Sequence, residues 1–177
     1  MKRISALLLA LAVILTCFTA CSGNVDDSTG TGELESVTLD GETVTADTFK
    51  GNKLTVVNIW GTFCGPCINE MPDLEKISRD YADKGVVLIG IVSDVYDYYK
   101  KENNPDKIKD AEDIVAQTGV TYMNILPSES LNNAGLDYIS TFPTTFFLNE
   151  KGEIVGEYVG SRSYESWSRL IDLALQS

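Results

Sequence analysis

Histidine is absent from all 177 residues, and only four cysteines occur. A structural zinc site wants four ligands of these types, so the lack of histidine and of a second Cys-x-x-Cys pair argues against one. Basic residues are also scarce, 14 against 26 acids, for a formal charge of -12. So acidic a chain has no general electrostatic reason to bind nucleic acid or an anionic membrane surface. The glycines form no phosphate-binding series, and no pair of acids has the motif support that hydrolysis would ask for. No internal repeat or second domain is visible, and nothing in the pattern asks for a cofactor or a metal. The length and an apolar fraction of 44% suit one domain with a real core.

What is present begins with an address. Lys2 and Arg3 precede an apolar or small run over 4–20, too short and too near the terminus for a convincing membrane span. This is the order of an export signal, and it ends in Phe18-Thr19-Ala20-Cys21, which resembles a bacterial lipobox despite Phe in place of the usual Leu. The expectation is a leader over 1–20, acylation at Cys21, a polar tether over 21–32 and one domain over 33–177. An uncleaved signal anchor and an ordinary secreted product are the competing readings. Without the leader, 26 acids face 12 bases. Lipid, rather than charge, would then hold the protein to a membrane.

Setting aside Cys17 in the leader and Cys21, only Cys64 and Cys67 remain for the folded part. An apolar run over 54–60 stops at Gly61-Thr62, and the two cysteines open a segment with apolar residues at helical spacing. A helix N-terminus carries partial positive charge and unpaired N-H groups, so it lowers the pKa of a thiol placed there. Gly65-Pro66 between the cysteines favours the first helical turn. The pair reads as a redox dithiol in which Cys64 attacks and the deeper Cys67 resolves, with a zinc half-site and an inert disulfide as the bland alternatives.

Along the chain, 34–44 predicts an amino-terminal hairpin, and 54–60 a strand apolar on both faces. A helix follows with Ile68, Met71, Leu74, Ile77 and Tyr81 on one side, kinked at Pro72 and stopped by Gly85. The most apolar strand, 86–92, pairs parallel with 54–60 through a right-handed crossover. An insertion over 94–118 reads as loop or frayed helix and then a helix over 108–117. Strands over 122–126, 145–148 and 154–159 come next, and a helix over 164–175 closes the chain. Tyr96, Tyr98 and Tyr99 either rim a partner site or pack ordinarily.

Trp60-Gly61-Thr62-Phe63-Cys64-Gly65-Pro66-Cys67 is similar to the thioredoxin active site. Together with Asn58, Glu70, Pro72 and Thr141-Phe142-Pro143-Thr144, it resembles the membrane-tethered TlpA/ResA-like branch of the thioredoxin superfamily. The resemblance implies an α/β thioredoxin-like fold: a mixed central sheet flanked by helices, with an N-terminal β-hairpin and a central insertion. It further implies a thiol-disulfide reductase facing outward from the cytoplasmic membrane, with cytochrome c maturation the best-known role. Cys64 and Cys67 would be the catalytic redox pair, and Pro143 a cis-proline facing them. Trp60, Phe63, Gly65, Pro66, Thr141 and Phe142 would contact a partner chain. Glu70 would tune proton transfer, because a carboxylate near a thiol disfavours the thiolate and exchanges its proton; an exposed acid near a helix N-terminus is the alternative. Asn58 stands where thioredoxin usually has a buried aspartate, and Phe63 replaces the common tryptophan, losing an indole N-H.

The expected donor is a membrane thiol-electron carrier and the expected acceptor an oxidised exported protein such as apocytochrome c. Electron supply to an extracytoplasmic methionine sulfoxide reductase or peroxidase, disulfide formation, and a non-catalytic binding module are the competing functions.

Overall fold

The amino-terminal hairpin forms as expected. β1 (Glu35–Val37) runs antiparallel to β2 (Thr43–Thr45), with Gly41 at φ 84° in the turn between them. These strands open a computed structural model that describes residues 34–176; the leader, Cys17, Cys21 and the tether over 21–32 lie outside the described residues. Among the described residues no helix is long and apolar enough to cross a membrane.

β3 (Leu54–Trp60) is buried at all seven positions, as its two-sided apolar pattern requires. α1 (Gly65–Tyr81) follows and remains one helix across Pro72, which is exposed, so the proline does not divide the element. Gly85 at φ 81° ends the descent, and β4 (Val86–Val92) pairs parallel with β3. After the insertion come β7 (Met123–Ile125), parallel to β4, and the short α3 (Glu129–Asn133). β8 (Thr144–Leu148) and β9 (Ile154–Val159) complete the sheet in the order β7-β4-β3-β8-β9, both new pairings antiparallel. α4 (Tyr164–Ala174) closes the fold.

The insertion is more ordered than its composition suggests. β5 (Tyr96–Asp97) and β6 (Glu102–Asn103) make a small hairpin, and α2 (Pro105–Thr118) begins three residues before the expected start. Asn104 explains the difference: its side chain accepts from the backbone N-H of Asp106 at 2.9 Å, and Pro105 is pre-set for the first turn. The charged run 100–106 thus divides between the hairpin and a capped helix start. Tyr98 and Tyr99 stay exposed, and Tyr96 packs edge-on against Tyr98.

Alternation along β3 divides the interior into two cores. Val56 and Trp60 face α1 and α4 with Met71, Leu74, Ile77, Phe147 and Trp167, while Val57 and Ile59 face the hairpin and α3 with Ile89, Ile91 and Ile125. Each such fully buried side chain contributes about 1.5–3 kcal/mol of burial free energy. Asn58, between Val57 and Ile59 in sequence, points into the α1 side. That parity places an amide beneath the first turns of the helix carrying the cysteines.

Candidate active site

Cys64 and Cys67 form a disulfide, their Cα atoms 5.3 Å apart. Cys64 is the N-cap of α1, and its Sγ accepts from the Cys67 N-H at 3.2 Å. A sulfur in that position meets the helix N-terminus directly. Cys64 is 6% exposed and Cys67 1%, so the order of depth follows the expectation, although even the outer sulfur is largely covered. Access comes from the flanks: Phe63 is 66% exposed, and Gly65, Pro66 and Thr141 are also exposed.

The Phe142-Pro143 peptide is cis, as the resemblance implies. Phe142 bridges the two cores and meets Phe63 edge-on, ring centroids 5.7 Å apart, which brings the second motif beside the first. Trp60 is different. It is fully buried and donates its indole N-H to Asn124 at 3.0 Å, so it supports the site from below and offers no surface to a partner. Gly90 makes room for that bond, since a Cβ there would stand 2.1 Å from Asn124 Oδ1.

Glu70 is 3% exposed, which overturns its reading as a solvated helix-end acid. Spacing accounts for its burial: 67, 70, 71, 74, 77 and 81 form one stripe of α1, and Glu70 is one of the two acids that the helix buries, the other being Glu75. Asn58 donates to Oε1 at 3.1 Å, while the Arg162 backbone N-H at 2.9 Å and the Trp167 indole at 3.4 Å donate to Oε2. Asn58 also donates to Thr145, its cross-strand neighbour on β8, at 3.0 Å. Asn58 and Glu70 are thus one unit, an amide orienting a carboxylate. Burial pushes the Glu70 pKa above its ordinary value, and the Arg162, Asn58 and Trp167 hydrogen bonds hold back part of that rise. Such an acid exchanges a proton nearer neutrality than a surface glutamate does.

This has a measurable consequence in the oxidised protein. The folded chain binds the Glu70 proton more tightly than the unfolded chain, so the resulting stability is complete below the ordinary pKa of 4.5 and is lost as pH rises through the raised folded value. Glu70→Gln is neutral throughout and is expected to abolish that downward slope. Urea midpoints from about pH 4 to about pH 8 for both proteins test it; parallel curves would rule out a raised Glu70 pKa.

Arg162, Trp167 and Thr145 escape sequence reasoning because they lie far from Glu70 in the chain and match no motif. Among the described residues no group of three or more Cys, Asp or Glu side chains is placed to hold a metal ion.

Comparison with known proteins agrees with this geometry. The Redoxin family model matches residues 24–168. Thioredoxin-like protein YneN of Bacillus subtilis (strain 168) is 33% identical over 138 residues, covering 77% of this chain and 73% of that protein. Thiol-disulfide oxidoreductase ResA of Halalkalibacterium halodurans is 29% identical over 135 residues, 76% of this chain and 69% of its own. Among solved structures, a thiol:disulfide interchange protein of the thioredoxin family from Chlorobium tepidum TLS superposes with a TM-score of 0.62 at 26% identity. The superposition covers 81% of this chain and 93% of that one. With a matched model spanning most of its length and a disulfide capping α1 beside a cis-proline, the chain belongs to the Redoxin family.

Proposed function

We propose that this thiol-disulfide oxidoreductase works in the reducing direction, outside the cytoplasm, on disulfides of exported proteins. The observation that carries the reading is the buried Glu70 carboxylate on the helix that Cys64 caps, close to Cys67 along the same stripe. In the reduced protein the Cys64 thiolate attacks one sulfur of a partner disulfide, forming a mixed disulfide and releasing a partner thiolate. Cys67 passes its proton to Glu70 and attacks Cys64 Sγ. The second partner thiolate leaves, the protons end on the partner's thiols, and two electrons have moved from dithiol to partner. An extended partner segment pairing beside Pro143, next to Phe63 and Phe142, would be held by its backbone, a sequence-tolerant mode.

Gly65-Pro66 between the cysteines resembles the reducing end of the superfamily, and the order of charge and apolar residues in the leader supports export and a lipid anchor at Cys21. A membrane thiol carrier would re-reduce the pair, and apocytochrome c is the acceptor that the resemblance of the two motifs to the TlpA/ResA-like branch implies. The reduction potential of the Cys64–Cys67 couple, titrated against dithiothreitol or glutathione buffers, tests the direction. A value near roughly -270 mV fits electron delivery, whereas one near about -120 mV would replace the reductase with an oxidase.

A further inference from the structure

The segment 61–63 joins β3 to Cys64, and two consecutive residues after β4 hold it and the strand end before it. Ser93 donates its hydroxyl to the Trp60 carbonyl at 3.0 Å. Asp94 spreads its two oxygens over Thr62: Oδ1 accepts the backbone N-H at 2.8 Å and Oδ2 the hydroxyl at 2.6 Å. The turn then closes on the cysteine, whose own N-H donates to the Gly61 carbonyl at 3.0 Å. Lys107 of α2 completes the cluster, 3.6 Å from Asp94 Oδ2 and donating to the Thr62 hydroxyl at 3.3 Å. The Asp94 side chain is only 15% exposed, so these charge-assisted bonds are partly shielded from water.

We propose that Asp94 is a positioning residue for the attacking thiol: by gripping both hydrogen-bond donors of Thr62, it fixes the turn that seats Cys64 at the N-cap of α1. The proposal rests on the reading of Cys64 as nucleophile and adds to it the device that holds that thiol. When the disulfide opens, the tie between Cys64 and Cys67 is gone, and the hold on Thr62 still fixes the nucleophile's backbone. Attack on a disulfide needs a defined approach, so a loosened turn slows the step even where the fold survives. Lys107 extends the same hold to the insertion, so that α2 buttresses the redox turn.

The test uses the reduced protein in a Cys67→Ser background, where Cys64 is the sole thiol of the pair. Its rate of alkylation by iodoacetamide is followed against pH, with urea midpoints measured in parallel and the reduction potential determined in the unmodified dithiol background. Asp94→Ala is expected to slow the plateau rate about tenfold and to shift the potential. Asp94→Asn keeps an acceptor for the Thr62 N-H and a donor to its hydroxyl, and is expected to restore most of the rate. A lower urea midpoint with unchanged alkylation profile and potential makes Asp94 merely structural and overturns the proposal. Equal impairment in both variants overturns it in favour of a charge effect. If Asp94→Ala does not fold, Thr62→Val carries the test: it keeps the backbone bond, and an expected slowing of about threefold supports the grip while an unchanged rate rejects it. Failure of the underlying reading looks different, because Cys64→Ser would then form the mixed disulfide and Cys67→Ser would not.

Discussion

Cys67→Ser, once reduced, is expected to stop at the mixed disulfide and to lose turnover down to the uncatalysed rate. Serine at the base of the stripe keeps the volume of a residue only 1% exposed, so the fold and the Cys64 thiol are retained. The hydroxyl cannot displace a sulfur, and the partner stays covalently bound until an outside thiol releases it. Release of fully reduced insulin chains from the pre-reduced protein, with no other thiol added, measures the first effect. A reductant-sensitive adduct on a non-reducing gel shows the second. Cys64→Ser should abolish both turnover and adduct; an adduct from that variant would reverse the assigned roles.

A loss of about 3–5 kcal/mol is expected for Trp167→Ala, the largest effect on stability among the residues around the site. Trp167 is fully buried, packs against Phe147 and Tyr158, and lies 5.1 Å beneath the Arg162 guanidinium. Truncation opens a cavity and removes the indole N-H from Glu70 in one step. Against a typical total of about 5–15 kcal/mol, that is about a fifth of the stability or more, so urea unfolding should show a much lower midpoint. A loss below about 1 kcal/mol would mean that the helix repacks and that α4 does not anchor the site.

Local pattern made most of this architecture legible. The run 54–60 announces a two-faced central strand, and Gly85 and Gly119 mark where α1 descends and α2 stops, each in the left-handed region. The dithiol and Pro143 stood out because each sits in a short motif. The insertion was harder, since its charged residues hide the Asn104-Pro105 cap, a signal that composition alone obscures. Glu70 was half legible. The heptad-like stripe through Cys67, Met71 and Leu74 includes it, yet a carboxylate is assigned to the surface unless its partners are known, and these come from three other elements. Trp60 misled in the opposite sense: it belongs to the motif and yet serves the interior through Asn124. Proximity in a motif says which residues share a site, and burial decides which of them can touch a partner.

The partners of Glu70 also set an order of events. Asn58 precedes it by 12 residues, whereas Arg162 and Trp167 follow by 92 and 97. The two thiols are therefore present on the chain long before the carboxylate finds its enclosure. Before Arg162 and α4 are in place, Asn58 is the only one of these three donors that can reach Glu70. The enclosure of Glu70 is thus a property that the carboxyl-terminal third confers on a motif in the first half.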